Sequence, residues 1–305
     1  MVRFFSSRLP SVVSGRRTTA DARAVPQRPE PVARSTDYSK FIILGAARTG
    51  SNMLVQALNS SPELTCFGEL FHPDLDFLGY NVEGYDNFDN NDRALRDGDL
   101  PAFLRERVYC AHSEATQAVG FKLLYGHIWG FPGLLEALIE DTEIRVLHLK
   151  RRNLLRTLLS LKIAEKTGVW LEDRRLTLAN VGTALRHPLR VATRLRRPLK
   201  RLPASRVKLT LPAAECREFF YQRQRNAAHY DDLFRHHPKL TLFYEDLVDH
   251  REEALGQAQA FLGVDPRPLD ITLRKQNPEP LPELLENYDE LYRAFCFTPH
   301  AWMFR

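Results

Sequence analysis

Phe41-Ile42-Ile43-Leu44-Gly45-Ala46-Ala47-Arg48-Thr49-Gly50-Ser51-Asn52-Met53 carries an apolar run into a small-residue turn and out into a helix-compatible stretch. Such a run reads as a buried strand. The turn then delivers successive backbone N–H groups to a helix start, the layout of a phosphate-cradling loop. The spacing Gly45-x4-Gly50 matches the opening of a nucleoside triphosphate P-loop, but Ser51 stands where that loop carries lysine. The only cation of the turn is Arg48. The chain is therefore expected to hold an anion at a helix start without the lysine that reaches β- and γ-phosphates. Backbone N–H groups from about Thr49 to Asn52 would face that anion. The side chains of Thr49, Ser51 and Asn52 add donors, and Arg48 adds a planar guanidinium. The competing reading is a tight strand-to-helix turn with a solvent-facing arginine.

Outward from this turn, strand and helix patterns alternate. Strands are expected at 40–45, 64–67, 118–124, 144–149 and 240–244, with helices at 51–58, 100–108, 131–139, 154–165, 213–235 and 245–262. The stretch 79–99, rich in Asn, Asp and Gly, reads as a surface loop, and the C-terminal part turns helical after Pro282. Alternation of this kind predicts an α/β fold, P-loop-like and three-layered, around a four- or five-stranded parallel sheet. The domain is drawn from 39 to 305, after a disordered basic arm over 1–38.

The chain has 305 residues, 44% of them hydrophobic, enough for a sizeable core. A net charge of +5 and a pI near 9.0 suit an anionic ligand or surface, or merely a basic protein. Eleven Lys or Arg and no acid lie between Arg174 and Lys208. This segment reads as a solvated insertion, as a guide for a membrane surface or polyanionic acceptor, or as a nucleic-acid patch. Nucleic acid is not expected, because aromatic interleaving and a recognisable module are both lacking. The four cysteines are widely spaced, without C-x-x-C, so free thiols in a reducing compartment are expected rather than zinc or disulfides. No apolar run reaches the ~18 residues of a membrane span. The expected location is the cytoplasm. The Arg/Ser-rich first 34 residues, with seven arginines and two acids, also fit an organelle leader.

A second anion-binding element runs from Arg151 to Ser160. An arginine ending one strand and a serine two helical turns into the next helix can meet at one phosphate, on the sheet edge where open α/β sheets bind ligands. Phosphoryl-transfer loops often carry a magnesium-binding acid at the end of such a strand; here it ends Lys150-Arg151-Arg152. Two anion sites and no metal acid suggest a nucleotide with phosphates at both ends of its ribose.

At this point the chain resembles a known family. Gly45 through Asn52, Gly68-Glu69-Leu70-Phe71, Gly120-Phe121-Lys122-Leu123, Arg151 through Ser160, and the segments Leu273 to Leu281 and Glu286 to Leu291 look like the PAPS-dependent carbohydrate sulfotransferases of bacteria. The mycobacterial trehalose and rhizobial nodulation-factor types are the most similar. The ordered motifs span about residues 40 to 292. The resemblance implies a transfer of a sulfuryl group from PAPS to a hydroxyl of a carbohydrate or glycolipid. It implies that Arg48, Thr49, Gly50, Ser51 and Asn52 hold the donor's 5′-phosphosulfate, and that Arg151 and Ser160 hold its 3′-phosphate. Glu69, 21 residues after Arg48, falls on the proposed general base. Arg274 and Lys275 fall on a basic segment that closes over the nucleotide.

Chemistry agrees with these roles. Sulfuryl transfer needs an in-line oxygen nucleophile, a base for its proton, and cations where charge develops on the bridging oxygen. Glu69 suits the base if a closed site raises its pKa, and Arg48 suits the stabilising role. No metal is required, because a sulfuryl group carries less charge than a γ-phosphoryl. His72 is an alternative base, or incidental. Lys122, on a buried strand, contacts the donor sulfate or pairs with a carboxylate. Tyr125, His127 and Trp129 either line an acceptor pocket or belong to the core. Two other classes remain: a P-loop nucleotide kinase or NTPase, disfavoured by the missing lysine, and a non-catalytic anion-binding protein. Acceptor identity and oligomeric state are not legible at this level.

Overall fold

The computed structural model describes residues 33–72, 90–168, 207–271, 273 and 277–305. Arg274, Lys275, the arm before residue 33 and residues 174–206 of the basic segment lie outside them. Five strands form the centre: β1 (Ser39–Gly45), β2 (Leu64–Phe67), β3 (Ala118–Leu124), β4 (Arg145–Lys150) and β5 (Lys239–Phe243). They pair in the order β2-β3-β1-β4-β5, every pair parallel. The expected P-loop-like α/β fold is thus present, with five strands.

Parallel strands covered on both faces read as continuous apolar runs, and β1 shows why. Ile42 and Leu44 enter one core, Phe41 and Ile43 the other, and all four are wholly buried. On the second face lie α1 (Ser51–Leu58) and α9 (Arg251–Leu262), packing Leu54, Leu58, Leu255 and Leu262. On the first face lie α3 (Leu100–Phe103), α5 (Leu134–Glu140) and the end of α7 (Ala213–Leu233). A third cluster joins α6 (Leu154–Thr167) to the start of α7 and to the C-terminal segment through Leu159, Phe220, Leu284 and Phe304. Gly120 in β3 is there for close approach: a Cβ on it would lie 2.3 Å from the Phe41 carbonyl oxygen and 2.5 Å from the Phe41 ring.

Two expectations are corrected. Residues 90–98 form a helix, α2 (Asn90–Gly98), rather than the end of a loop; residues 79–89 lie outside the described set. Regular structure is also present before residue 39, where Arg34 and Ser35 pair antiparallel with Ser113 and His112. In addition, Tyr38 donates to the Cys110 carbonyl at 2.7 Å.

Topology positions the site. The chain leaves β1 toward β2 on one side, but leaves β4 toward β5 on the other. The crevice at the carboxyl ends of β1 and β4 is therefore a switch point, where open α/β sheets take their ligands.

Candidate active site

The turn after β1 is built by two left-handed residues, Arg48 at φ 69° and Gly50 at φ 87°. Glycine is the residue for the second position on two counts. It carries no φ penalty, and a Cβ there would lie 2.5 Å from the Tyr244 ring. The Thr49 hydroxyl donates back to the Ala46 carbonyl at 2.8 Å and tightens the turn. Gly50 is the N-cap of α1, and no side chain caps that end. The helix start thus presents its first N–H groups to whatever occupies the crevice.

Three cations end β4, and the fold sorts them. Lys150 bonds Asp231 at 2.5 Å, and Arg152 grips Asp246 with two bonds of 2.5 and 2.9 Å. Arg151 alone turns to the crevice. It donates to the Arg48 carbonyl at 3.0 Å, and its guanidinium stacks 4.3 Å over the Tyr244 ring. Its Nε is buried without a hydrogen-bond partner. Asn153 caps α6 by accepting from the Arg156 N–H at 2.9 Å, and Glu245 accepts from the N–H groups of Arg152 and Asn153, each at 3.0 Å. With α6 so anchored, Ser160 faces inward and accepts from Arg48 Nε at 2.9 Å and from its terminal nitrogen at 2.7 Å. Burial, and then the neighbouring Arg151, lower Arg48 to a pKa of about 10, so it is still a cation at neutral pH. Burial likewise lowers Arg151, against the opposing pull of Tyr244 and Glu245.

A second cluster adjoins the first. Lys122, only 1% exposed, reaches Asn52 Oδ1 at 2.5 Å and forms an ion pair with Glu69. His127 Nε2 lies 3.7 Å from the other Glu69 oxygen, and the His72 and His127 rings meet edge to face at 5.2 Å. Burial pushes the Glu69 carboxyl up, but the charge and hydrogen bond of Lys122, helped by His127 and His72, hold it below the usual carboxylate range. This reverses the expectation of a raised pKa. Partial burial drops His127 to about 4, so it is neutral at pH 7. The donor atoms of Glu69, His72 and His127 fall within 4.8 Å of one another. The Lys122 ammonium already holds Glu69, and its charge opposes a cation there, so these residues are not assigned as metal ligands.

The expected residues thus divide. Arg48, Thr49, Gly50, Ser51, Asn52, Arg151 and Ser160 converge, and Asn52 links them through Lys122 to Glu69, His127 and His72. Tyr125 turns away. It is 7% exposed and hydrogen-bonds His148, whose Nδ1 meets Asp231 at 2.8 Å. Trp129 is 77% exposed. Arg274 and Lys275 lie outside the described residues. Tyr244, Glu245 and Arg96 were not foreseen. Arg96, on α2, is 2% exposed and donates to the carbonyls of Leu70 and His72 at 2.9 and 3.1 Å, which fixes the loop carrying Glu69. A cleft of about 520 Å³ between α2 and the turn at 130–133 shares Arg96 with that loop, but the turn after β1 does not line it.

Over 270 residues, 87% of this chain and 92% of the relative, the sequence is 28% identical to nodulation protein H of Rhizobium tropici. That likeness runs through nearly the whole of both chains. Among solved structures, the chain is similar to a sulfotransferase from Alicyclobacillus acidocaldarius, at 18% identity and a TM-score of 0.44, covering 87% of this chain and 93% of that one. It is also similar to the sulfotransferase domain of the Synechococcus PCC 7002 olefin synthase, at 18% identity and a TM-score of 0.34, covering 79% and 78%. No family model matches the chain. Among the described residues, no helix is long and apolar enough to cross a membrane.

Proposed function

We propose that this protein is a sulfotransferase that takes its sulfuryl group from PAPS and delivers it to a hydroxyl of a carbohydrate or glycolipid, with Glu69 as general base. One observation carries the reading: Arg48, Ser160 and Arg151 meet at the uncapped start of α1. The residues fit a doubly anionic nucleotide. Arg151 is buried with an orphaned Nε, and the crevice side of β4 offers a cation where a magnesium-binding acid would stand in a kinase.

When bound, PAPS supplies a sulfuryl group attached to a phosphate leaving group. The N–H groups of the turn, with Arg48, Thr49, Gly50, Ser51 and Asn52, hold the 5′-phosphosulfate. Arg151 and Ser160 hold the 3′-phosphate, and Arg274 and Lys275 close over the nucleotide. Glu69 takes the proton of the acceptor hydroxyl. His72 and His127 border Glu69 and meet the acceptor. The setting is a reducing cytoplasm, in keeping with four free cysteines. The basic segment at 174–208 serves an insertion or membrane-surface role, after a basic arm that precedes the domain.

The test is incubation of the full chain with radiolabelled PAPS and a panel of sugars and glycolipids. A labelled, sulfated product is expected. Absence of any transfer, or magnesium-dependent turnover of ATP in its place, would overturn the reading.

A further inference from the structure

Lys122 is a costly residue where it stands. It occupies the interior of β3, registers with Ile43 of β1, and is wholly buried. An ammonium in such a place loses its hydration, and an apolar side chain of similar volume would commonly be no less stabilising. The charge therefore calls for a use beyond packing. Its surroundings show one. From α1, Asn52 accepts its hydrogen bond at 2.5 Å; from the loop after β2, Glu69 pairs with it. From β2, Cys66 is a buried neighbour whose thiol is pushed well up by burial. Arg48 faces it as a like charge, and His127 and His72 stand beyond Glu69. The ammonium thus bridges the helix start that would hold the donor's anionic end and the carboxylate that would take the acceptor's proton.

We infer that Lys122 is a charge carrier for the transfer step: it holds Glu69 as a carboxylate in the resting enzyme and gives its charge to the leaving side once Glu69 is protonated. The inference rests on the function proposed above. The step balances. The acceptor oxygen forms a bond to sulfur, and the bond from sulfur to the bridging phosphate oxygen breaks. The electron pair of that bond leaves with the phosphate, and the acceptor's proton moves to a Glu69 oxygen. Before the step, the Lys122 charge is matched by Glu69. After proton transfer Glu69 is neutral, and the unmatched ammonium, still tethered to Asn52 at the start of α1, faces the charge growing on the leaving group. The pair that looks like a brake on a base is then a coupling. Low basicity at Glu69 is offset because its protonation frees a cation that is itself buried.

The experiment compares kcat–pH profiles and calorimetric PAP binding for the wild type, Lys122→Met, Lys122→Arg, Glu69→Gln and the Lys122→Met/Glu69→Gln double variant. Lys122→Met should bind PAP within about 3-fold of wild type but lose about 100-fold or more in kcat. Its acid limb should move to higher pH, because the largest opposition to the effect of burial on Glu69 is then gone. The double variant should be no more than about 3-fold slower than the slower single one, the sign of residues acting as a unit. Lys122→Arg, which keeps the charge, should recover part of kcat and the low acid limb. An unshifted acid limb, unchanged kcat, or multiplicative losses in the double variant would overturn the inference. So would a wild-type acid limb above about pH 6, a measurement that needs no variant to fold. If the wild type moves no sulfuryl group from PAPS, the functional reading and this inference fall together. If the wild type is active and Lys122→Met matches it, only this inference falls.

Discussion

Arg48 and Glu69 are the residues to which the proposed chemistry assigns the most, and each is set by what it touches. Arg48 is held by Ser160 at 2.7 and 2.9 Å, and its own carbonyl is held by Arg151. Removing the Arg151 guanidinium takes a charged donor from a buried site. Arg151→Ala is therefore expected to weaken PAP binding by about 1.5–3 kcal/mol, roughly 10- to 150-fold, read by calorimetry. Unchanged affinity would remove Arg151 from the 3′-phosphate site. Glu69→Gln keeps the volume and loses the basic oxygen, so kcat should fall by about 10²–10⁴ with PAP affinity preserved; full turnover would take Glu69 out of the mechanism. At this scale the sequence was a good guide to proximity. Arg48, Arg151, Ser160, Glu69 and Lys122 do gather near one sheet edge. It was a poor guide to pairing. Spacing could not say that Lys122 seeks Glu69 rather than a ligand, because partners come from different strands. That pairing reversed the expected direction of the Glu69 pKa.

Elements were legible where one physical signal dominated. The five strands were readable because buried parallel strands are apolar on both faces, and α1 and β3 have the bounds expected of them. α2 was not, because Asn90 to Gly98 carries hardly any apolar stripe. Arg96, buried against the carbonyls of Leu70 and His72 and 4.6 Å from the Phe131 ring, anchors the helix instead. Arg96→Leu leaves those carbonyls without their donor. It should destabilise the protein by about 1–3 kcal/mol, with faster amide exchange in the loop at 69–72. Protection unchanged in that loop would show that α2 is held otherwise. β3 gives a sharper test. A methyl at Gly120 would press on the Phe41 backbone, which cannot rotate away, so Gly120→Ala should cost about 1–3 kcal/mol in denaturant unfolding. A neutral result would mean that β1 and β3 can separate at little cost.

The molecule as a whole carries a pH signature. His148 is fully buried in β4 between Tyr125 and Asp231. Burial, with Lys150 and Lys239 against the pull of Asp231, lowers it to about 4. Asp231 is itself held far below the carboxylate range; burial would raise it, but bonds from Lys150 and His148 prevail. Both groups bind fewer protons folded than unfolded, so stability is present at neutral pH and is lost on acidification. The histidine contribution fades between about pH 6.5 and 4, up to about 3 kcal/mol for His148, and the Asp231 contribution fades below about pH 4. Denaturation midpoints should therefore fall from pH 7 to pH 4.5, and fall less in His148→Gln. A flat wild-type profile would contradict the buried, neutral histidine.

The sequence by itself determined the parallel α/β frame, the strand-to-helix turn at Gly45 to Asn52 and the cationic end of β4, because these depend on neighbours along the chain: apolar runs, glycine spacing and strand ends. Only the tertiary structure decided which of the three β4 cations faces the crevice, that Ser160 receives Arg48, that Lys122 clamps Glu69 to Asn52, and that Tyr125 turns into the core toward His148. Those outcomes rest on which side chains lie opposite each other once a five-stranded sheet has brought distant segments together, and a buried charge settles on the nearest partner in space, wherever the chain happens to carry it.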